Sequence, residues 1–220
     1  DGTAWMAMYA LNLLEMALVL ARHDRSYEDA ATKFFEHFAY IAEAMSAKGL
    51  WDEDDGFFYD VLAFPDGGRA PLRVRSMVGL LPLAATTTLG AATLEALPDF
   101  ATRFRWFLEH KPAYRGVVGA VPERDGAVGR QLAVLDEHRL VRVLATMLDE
   151  REFLSPFGLR EMSARHREEP FTIELGGASY TVDYEPGEST SGLFGGNSNW
   201  RGPIWFPVNY LVIEALRRYT

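Results

Sequence analysis

From Ala4 to Ala21 the chain is apolar on every side, interrupted only by Asn12 and Glu15. A run of this length is either a membrane span or a helix enclosed by protein. Spanning needs about 20 predominantly apolar residues, and a glutamate in mid-span is costly there. The run therefore reads as a helix buried on both sides within a soluble fold. After a turn at His23–Arg25 the pattern changes. Ser26 reads as an N-cap, with Asp29 three residues on as its capping-box partner. Tyr27, Ala31, Phe34, Phe38, Ile41, Ala42 and Met45 then share one face, opposite Glu28, Lys33, Glu36 and Glu43. That is an amphipathic helix with one wet side.

The pairing of an apolar helix with a one-sided one recurs. Met77 to Leu89 is apolar, with Gly79 and Pro82 inside it, and Phe100 to His110 follows as its amphipathic partner. Leu132 to Met147 returns to helical periodicity, and Ile204 to Leu216 is apolar nearly all round, broken by Asn209 and Glu214. Doubly buried helices alternating with singly buried ones indicate two concentric rings. The predicted fold class is all-α with small β-hairpins, a partial (α/α)6 toroid. A complete ring of six helix pairs needs roughly 350 residues or more, so the 220 residues form one domain holding about half of it.

Short β signals lie between these helices. Phe57 to Phe64, a Pro65-Asp66-Gly67-Gly68 turn, and Ala70 to Val74 read as one hairpin. Phe171 to Leu175 and Ser179 to Tyr184, around Gly176-Gly177, read as a cleaner one. Residues 113–130 read as a mobile loop. The chain opens at Asp1 with no signal-type leader and closes inside a helical pattern. Both ends look cut, and the chain reads as a piece of a longer cytoplasmic enzyme.

Composition narrows the chemistry. A net charge of −9 argues against nucleic acid or an anionic membrane as the main partner. There are no cysteines, which excludes disulfides and thiolate metal sites. The five histidines show no metal-ligand spacing. The acidic run Asp52-Glu53-Asp54-Asp55-Gly56 misses the EF-hand spacing, because its glycine falls one place early and no glutamate closes it. The glycines at 192, 195, 196 and 202 lack the following Lys-Ser/Thr of a phosphate loop.

The most informative segment is Phe194-Gly195-Gly196-Asn197-Ser198-Asn199-Trp200-Arg201-Gly202-Pro203-Ile204-Trp205. A glycine-rich loop there delivers amides, an arginine and two tryptophans to the start of an apolar helix. Flat aromatic faces beside planar hydrogen-bonding groups suit a sugar, with its apolar C–H faces and hydroxyl rim. The plainer reading of Asn199, Trp200, Arg201 and Trp205 is packing at a helix start.

The segment resembles a motif of inverting glycoside hydrolases built on helical toroids, in particular glycoside hydrolase family 63. That family contains mannosyl-oligosaccharide glucosidase and related bacterial α-glucosidases. Asp1-Gly2-Thr3-Ala4-Trp5-Met6 looks like the segment carrying the family's general-acid aspartate, so the resemblance makes Asp1 the acid and Trp5 a substrate contact. As a bare residue, Asp1 serves equally as an N-cap. Trp51, Asp52 and Tyr59 resemble the family's substrate-facing hairpin, and Phe153-Leu154-Ser155-Pro156-Phe157-Gly158 a loop beside the sugar site. Arg75 opposes a helix macrodipole, which calls for an anionic partner or a cleft role. Glu188 is the strongest internal candidate for a second carboxylate, either as base or as a sugar contact. The family, however, places its base after the Trp-Arg-Gly-Pro motif, beyond Thr220.

The implied reaction is inverting hydrolysis of an α-glucosidic bond in an oligosaccharide or small glucoside, with no cofactor or metal. A protonated Asp1 would donate to the leaving oxygen. A second carboxylate, roughly 6.5–9.5 Å away, would activate a water on the opposite ring face. Two alternatives stay open: a non-catalytic carbohydrate-binding or interaction fragment of the same fold, and another toroid glycosidase such as a trehalase relative.

Overall fold

The apolar run at the start does form a helix, α1 (Gly2–Ala21), followed by α2 (Tyr27–Ala47). The computed structural model describes residues 2–124, 126–187 and 204–219. After α2 come β1 (Trp51–Asp52), β2 (Phe57–Phe58), β3 (Asp60–Ala63), β4 (Arg69–Leu72) and β5 (Thr86–Leu89). Then follow α3 (Ala91–Ala96), α4 (Pro98–His110), β6 (Val118–Pro122), β7 (Val128–Ala133) and α5 (Glu137–Met147). The last elements are β8 (Leu154–Ser155), β9 (Gly158–Leu159), β10 (Phe171–Leu175), β11 (Ala178–Val182) and α6 (Phe206–Arg218). These elements group into two units, one from segments 1–48, 82–136 and 214–220, the other from 49–81 and 137–213.

In the first unit α1 packs along α2 and α2 packs on α4. The face of α2 that is buried carries Ala31, Phe35, Phe38, Ala39, Ala42 and Met45, one position round from the predicted face at Phe34, and Tyr27 is exposed. Phe35 is clamped by Phe104 and Phe107, with ring centroids 4.6 and 5.1 Å away. Each such phenyl, fully buried, contributes roughly 1.5–3 kcal/mol. Glu28, predicted to be wet, is 2% exposed. Its carboxylate accepts from the Phe100 N–H at 2.8 Å, capping the first turn of α4, and pairs with Arg25 at 2.7 Å. Burial pushes its pKa up, but Arg25 and the Phe100 N–H outweigh burial and hold it below the usual range. The Ser26 capping box does not form: Ser26 makes no side-chain cap bond, and its own N–H donates to Asp24 Oδ1 at 2.9 Å. Asp29 instead pairs with Arg103.

A three-stranded antiparallel sheet of order β5–β7–β6 completes this unit. It corrects two expectations. Met77 to Leu89 is not an inner helix. Two 3-10 turns, Met77–Gly79 and Leu81–Ala84, run into strand β5, because glycine and proline interrupt the helix and Thr86-Thr87-Thr88 favours a strand. Most of residues 113–130 form not a loop but a 3-10 segment, Pro112–Val117, and β6, whose partner β7 runs from Val128 to Ala133. Leu132 and Ala133 therefore belong to β7, and α5 begins only at Glu137.

The second unit holds four two-stranded antiparallel sheets: β1–β2, β3–β4, β8–β9 and β10–β11. Phe57 and Phe58 pair with Trp51 and Asp52 rather than extending the next hairpin, which spans Asp60–Ala63 and Arg69–Leu72. The β10–β11 hairpin follows its prediction: Gly176 and Gly177 carry φ of 59° and 81°, the left-handed pair that a two-residue turn needs. Val74, Met162 and Val182 make a small core under Phe171 and Tyr184, and Phe57 stacks on Phe153 at 5.7 Å.

The fold class is thereby corrected. The described chain is about half helix and about a fifth strand, with its strands in five antiparallel sheets. It is not all-α, and no partial (α/α)6 toroid is shown. The concentric-ring reading required a second inner helix, whose place is taken by 3-10 turns and β5. Large side chains on one face of α1 are exposed, as an inner helix with half its ring absent would leave them. By length and composition α1 could cross a membrane, with mean hydropathy 1.6; half of that window is buried in the fold.

Candidate functional site

Four of the residues singled out from the sequence, Trp51, Asp52, Tyr59 and Arg75, meet on one side of the second unit. The β1–β2 hairpin brings them together by its own turn chemistry. Asp52 Oδ1 accepts from the Asp54 and Asp55 N–H groups, both at 3.0 Å, and Asp52 Oδ2 pairs with Arg73 at 2.7 Å. Asp52 thus builds the loop that carries Asp55. Arg142 closes over that loop, donating to the Glu53 and Asp54 carbonyls at 2.5 and 2.9 Å. Trp51 is 7% exposed, edge-on to Phe58 at 4.9 Å. Arg139 and Arg142 lie over its ring at 5.3 and 5.7 Å. Its Nε1 is buried without a hydrogen-bond partner.

Arg75 is the hub. Its Nε donates to the Tyr59 hydroxyl at 3.1 Å, which donates in turn to Asp55 Oδ2 at 3.0 Å. One guanidinium nitrogen binds Glu152 and the other lies 3.5 Å from Asp55 Oδ1. Glu152 also accepts from the Ser163 hydroxyl. The Arg75 backbone N–H donates to His166 Nε2 at 2.9 Å, and His166 Nδ1 donates to the Glu169 carbonyl at 2.9 Å. His166 is therefore a neutral Nδ1–H tautomer, its pKa pulled below the usual value by burial. Burial likewise pushes the Tyr59 phenol up to about 12. Each guanidinium nitrogen of Arg75 faces an oxygen of the protein, so the group is an internal ion-pair network.

A second locus is open. The Ser-Pro-Phe-Gly loop is the two-residue turn between β8 and β9, in which the Ser155 hydroxyl donates to the Gly158 carbonyl at 2.7 Å. Asn209, in the first turns of α6, accepts from the Leu159 N–H at 2.8 Å. Its amide nitrogen reaches the Leu159 and Trp205 carbonyls at 3.2 and 2.9 Å. Gly158 has φ +129°, and a Cβ there would meet Asn209 Oδ1 at 2.9 Å and Ile204 Cγ2 at 3.1 Å. Only glycine lets the two segments approach so closely. At this junction Trp205 is half-buried, while Phe157 and Phe206 are 84% and 83% exposed. Sequence reasoning did not select Phe157, Phe206 or Asn209 as site residues. The signal available was Asn209 itself, an amide interrupting an otherwise apolar helix.

Trp5 lies in the first unit, half-buried and stacked on Tyr9 at 6.2 Å. Asp1, Glu188, Asn199, Trp200 and Arg201 lie outside the described residues. One carboxylate went unnoticed in the sequence: Glu161, 2% exposed, with Oε2 lacking a hydrogen-bond partner. Burial pushes it up to about 8, so it is mostly protonated at neutral pH. Among the described residues no group of three or more His, Asp or Glu side chains is arranged to hold a metal ion.

The chain is thus defined as two small units of mixed helix and antiparallel sheet, with an aromatic junction on one of them. No family model matches it. It is similar to an uncharacterized protein of Saccharomyces cerevisiae, YMR196W, with 40% identity over 236 residues covering 100% of this chain and 22% of the yeast protein. The chain therefore spans about a fifth of the length of that relative.

Proposed function

We propose that this chain supplies part of the sugar site of an inverting glycoside hydrolase that cleaves an α-glucosidic bond. The observation that carries the reading is the Asn209 junction. Asn209 ties the Ser155–Gly158 turn to the start of α6 while the Phe157 and Phe206 rings stay almost wholly exposed. Both tied segments are ones that the likeness to family 63 places beside a sugar. Large exposed aromatics on a hydrogen-bonded, rigid support are what a pyranose ring stacks on. In this reading the junction binds the glucosyl unit, and Asp1 keeps the general-acid role that the resemblance to family 63 gives it. The base comes from a carboxylate outside this chain.

A binding role without catalysis is the second reading. It is favoured by the closure of the Arg75 network, which leaves Asp52, Tyr59 and Arg75 committed to protein partners. Calorimetry of the chain with glucose, kojibiose and nigerose tests the shared part. Phe157→Ala with Phe206→Ala should weaken binding at least tenfold, and unchanged affinity would remove the junction from the site. Hydrolysis separates the two readings. In a polypeptide extended past Thr220, Asp1→Asn should lower kcat by about two to four orders of magnitude. Turnover surviving within threefold would reduce Asp1 to a helix cap.

A further inference from the structure

On α1 bulky apolar residues lie on both faces, Met8, Leu11, Leu14 and Leu18 on the buried one. The face packed into the first unit is rich in small residues, with Ala4, Ala7, Ala10, Ala17 and Ala21 all buried. The bulky Met6, Tyr9, Leu13, Met16 and Leu20 are between 41% and 60% exposed. These five are spaced 3, 4, 3 and 4 residues apart, the spacing by which one helix presents knobs to another. Beside them Asn12, Glu15, Met16, Val19 and Leu20 of the same helix form a shallow, open face.

We propose that this seam is a docking surface for an amphipathic helix from elsewhere in the same, longer polypeptide. Its dimensions favour a tethered partner over a second copy. From Met6 to Leu20 the seam is about 21 Å long at 1.5 Å per residue, and with a helix width of about 10 Å it offers roughly 200 Å². A stable pair of free proteins buries about 800 Å² on each side. Tethering within one polypeptide raises the partner helix's effective concentration and makes so small a contact sufficient. The yeast relative supplies the precedent for length, since this whole chain matches only 22% of it. A lipid surface fits less well, because Glu15 sits on the edge of the seam, paired with Arg218 at 2.7 Å and bonded to Thr87.

The chain has no cysteines, so one placed at Met16 reports on the seam alone. Met16→Cys would be alkylated with a maleimide in two settings, the 220-residue chain and the polypeptide translated from the complete reading frame, with site-resolved mass spectrometry as readout. Leu13→Cys repeats the test, Glu109→Cys on exposed α4 surface is the control, and circular dichroism verifies folding. The seam thiols should react at the control rate in the short chain and at least tenfold slower in the long polypeptide. Equal rates in both settings would overturn the proposal. Protection in the short chain that grows with protein concentration would overturn it in favour of self-association.

Discussion

The Arg75 network and the Asn209 junction are both built from segments that the sequence singled out, and both lie in the second unit. They differ in what they leave unused. In the network, Tyr59, Asp55, Glu152, Ser163 and His166 consume the hydrogen-bonding capacity of Arg75 and of one another. At the junction Asn209 links the turn to α6, and the Phe157 and Phe206 rings remain exposed. Polar residues that resemble a binding site are most useful to a ligand when something else does the holding. Here the holding falls to Asn209 at one locus, and at the other the candidate residues hold each other.

The difference can be broken from either side. The largest effect is expected from Glu152→Ala, which removes the nearer of the two carboxylates beside the buried Arg75 and strands the Ser163 hydroxyl, and should cost about 3 kcal/mol in urea unfolding. A loss under 1 kcal/mol would mean the network is not what holds the unit. Glu161→Gln comes next. Its native carboxyl has a folded pKa of about 8 against 4.5 unfolded, so the folded state binds the extra proton and stability falls as pH rises between those values. Glutamine cannot lose a proton; at pH 8.5 the variant should be the more stable, by on the order of 2 kcal/mol, with a flatter stability–pH profile. Thermal melts from pH 5 to 9 that leave the slope unchanged would refute this. Asn209→Ala should cost about 1–2 kcal/mol, because it strands the Leu159 N–H, and should also weaken sugar binding. Phe157→Ala is the smallest in stability, within about 0.5 kcal/mol, since its ring is solvent-exposed.

Local patterns were legible where the residues that decide them are close in sequence. The β10–β11 hairpin and the buried Phe100, Phe104 and Phe107 of α4 fall where alternation and helical spacing put them. Met77 to Leu89 failed because an apolar run does not distinguish a helix from 3-10 turns leading to a strand. Gly79, Pro82 and the threonines were the discriminating signals. Periodicity marked α1 as apolar on two sides, but it counts apolar positions and not the neighbours that cover them, so it does not name what covers the exposed side. Glu28 escaped because the N–H it caps lies 72 residues away. At the candidate site the sequence pointed to segments, and the tertiary fold decided which of their residues are spoken for.

The first unit is written in three pieces along the chain, and its Glu15–Arg218 pair closes across 203 residues. A ribosome adding about 5–20 residues per second takes roughly 10–40 s to travel between those two codons. For that interval Glu15 is without its arginine, and for most of it the Thr86–Thr87 strand waits as well. All of the second unit is synthesised before the last piece of the first. Vectorial synthesis therefore imposes an order: the second unit has all its residues while the first is still waiting for its final segment. A ribosome pausing late in this chain would leave the first unit incomplete and exposed to proteases and chaperones.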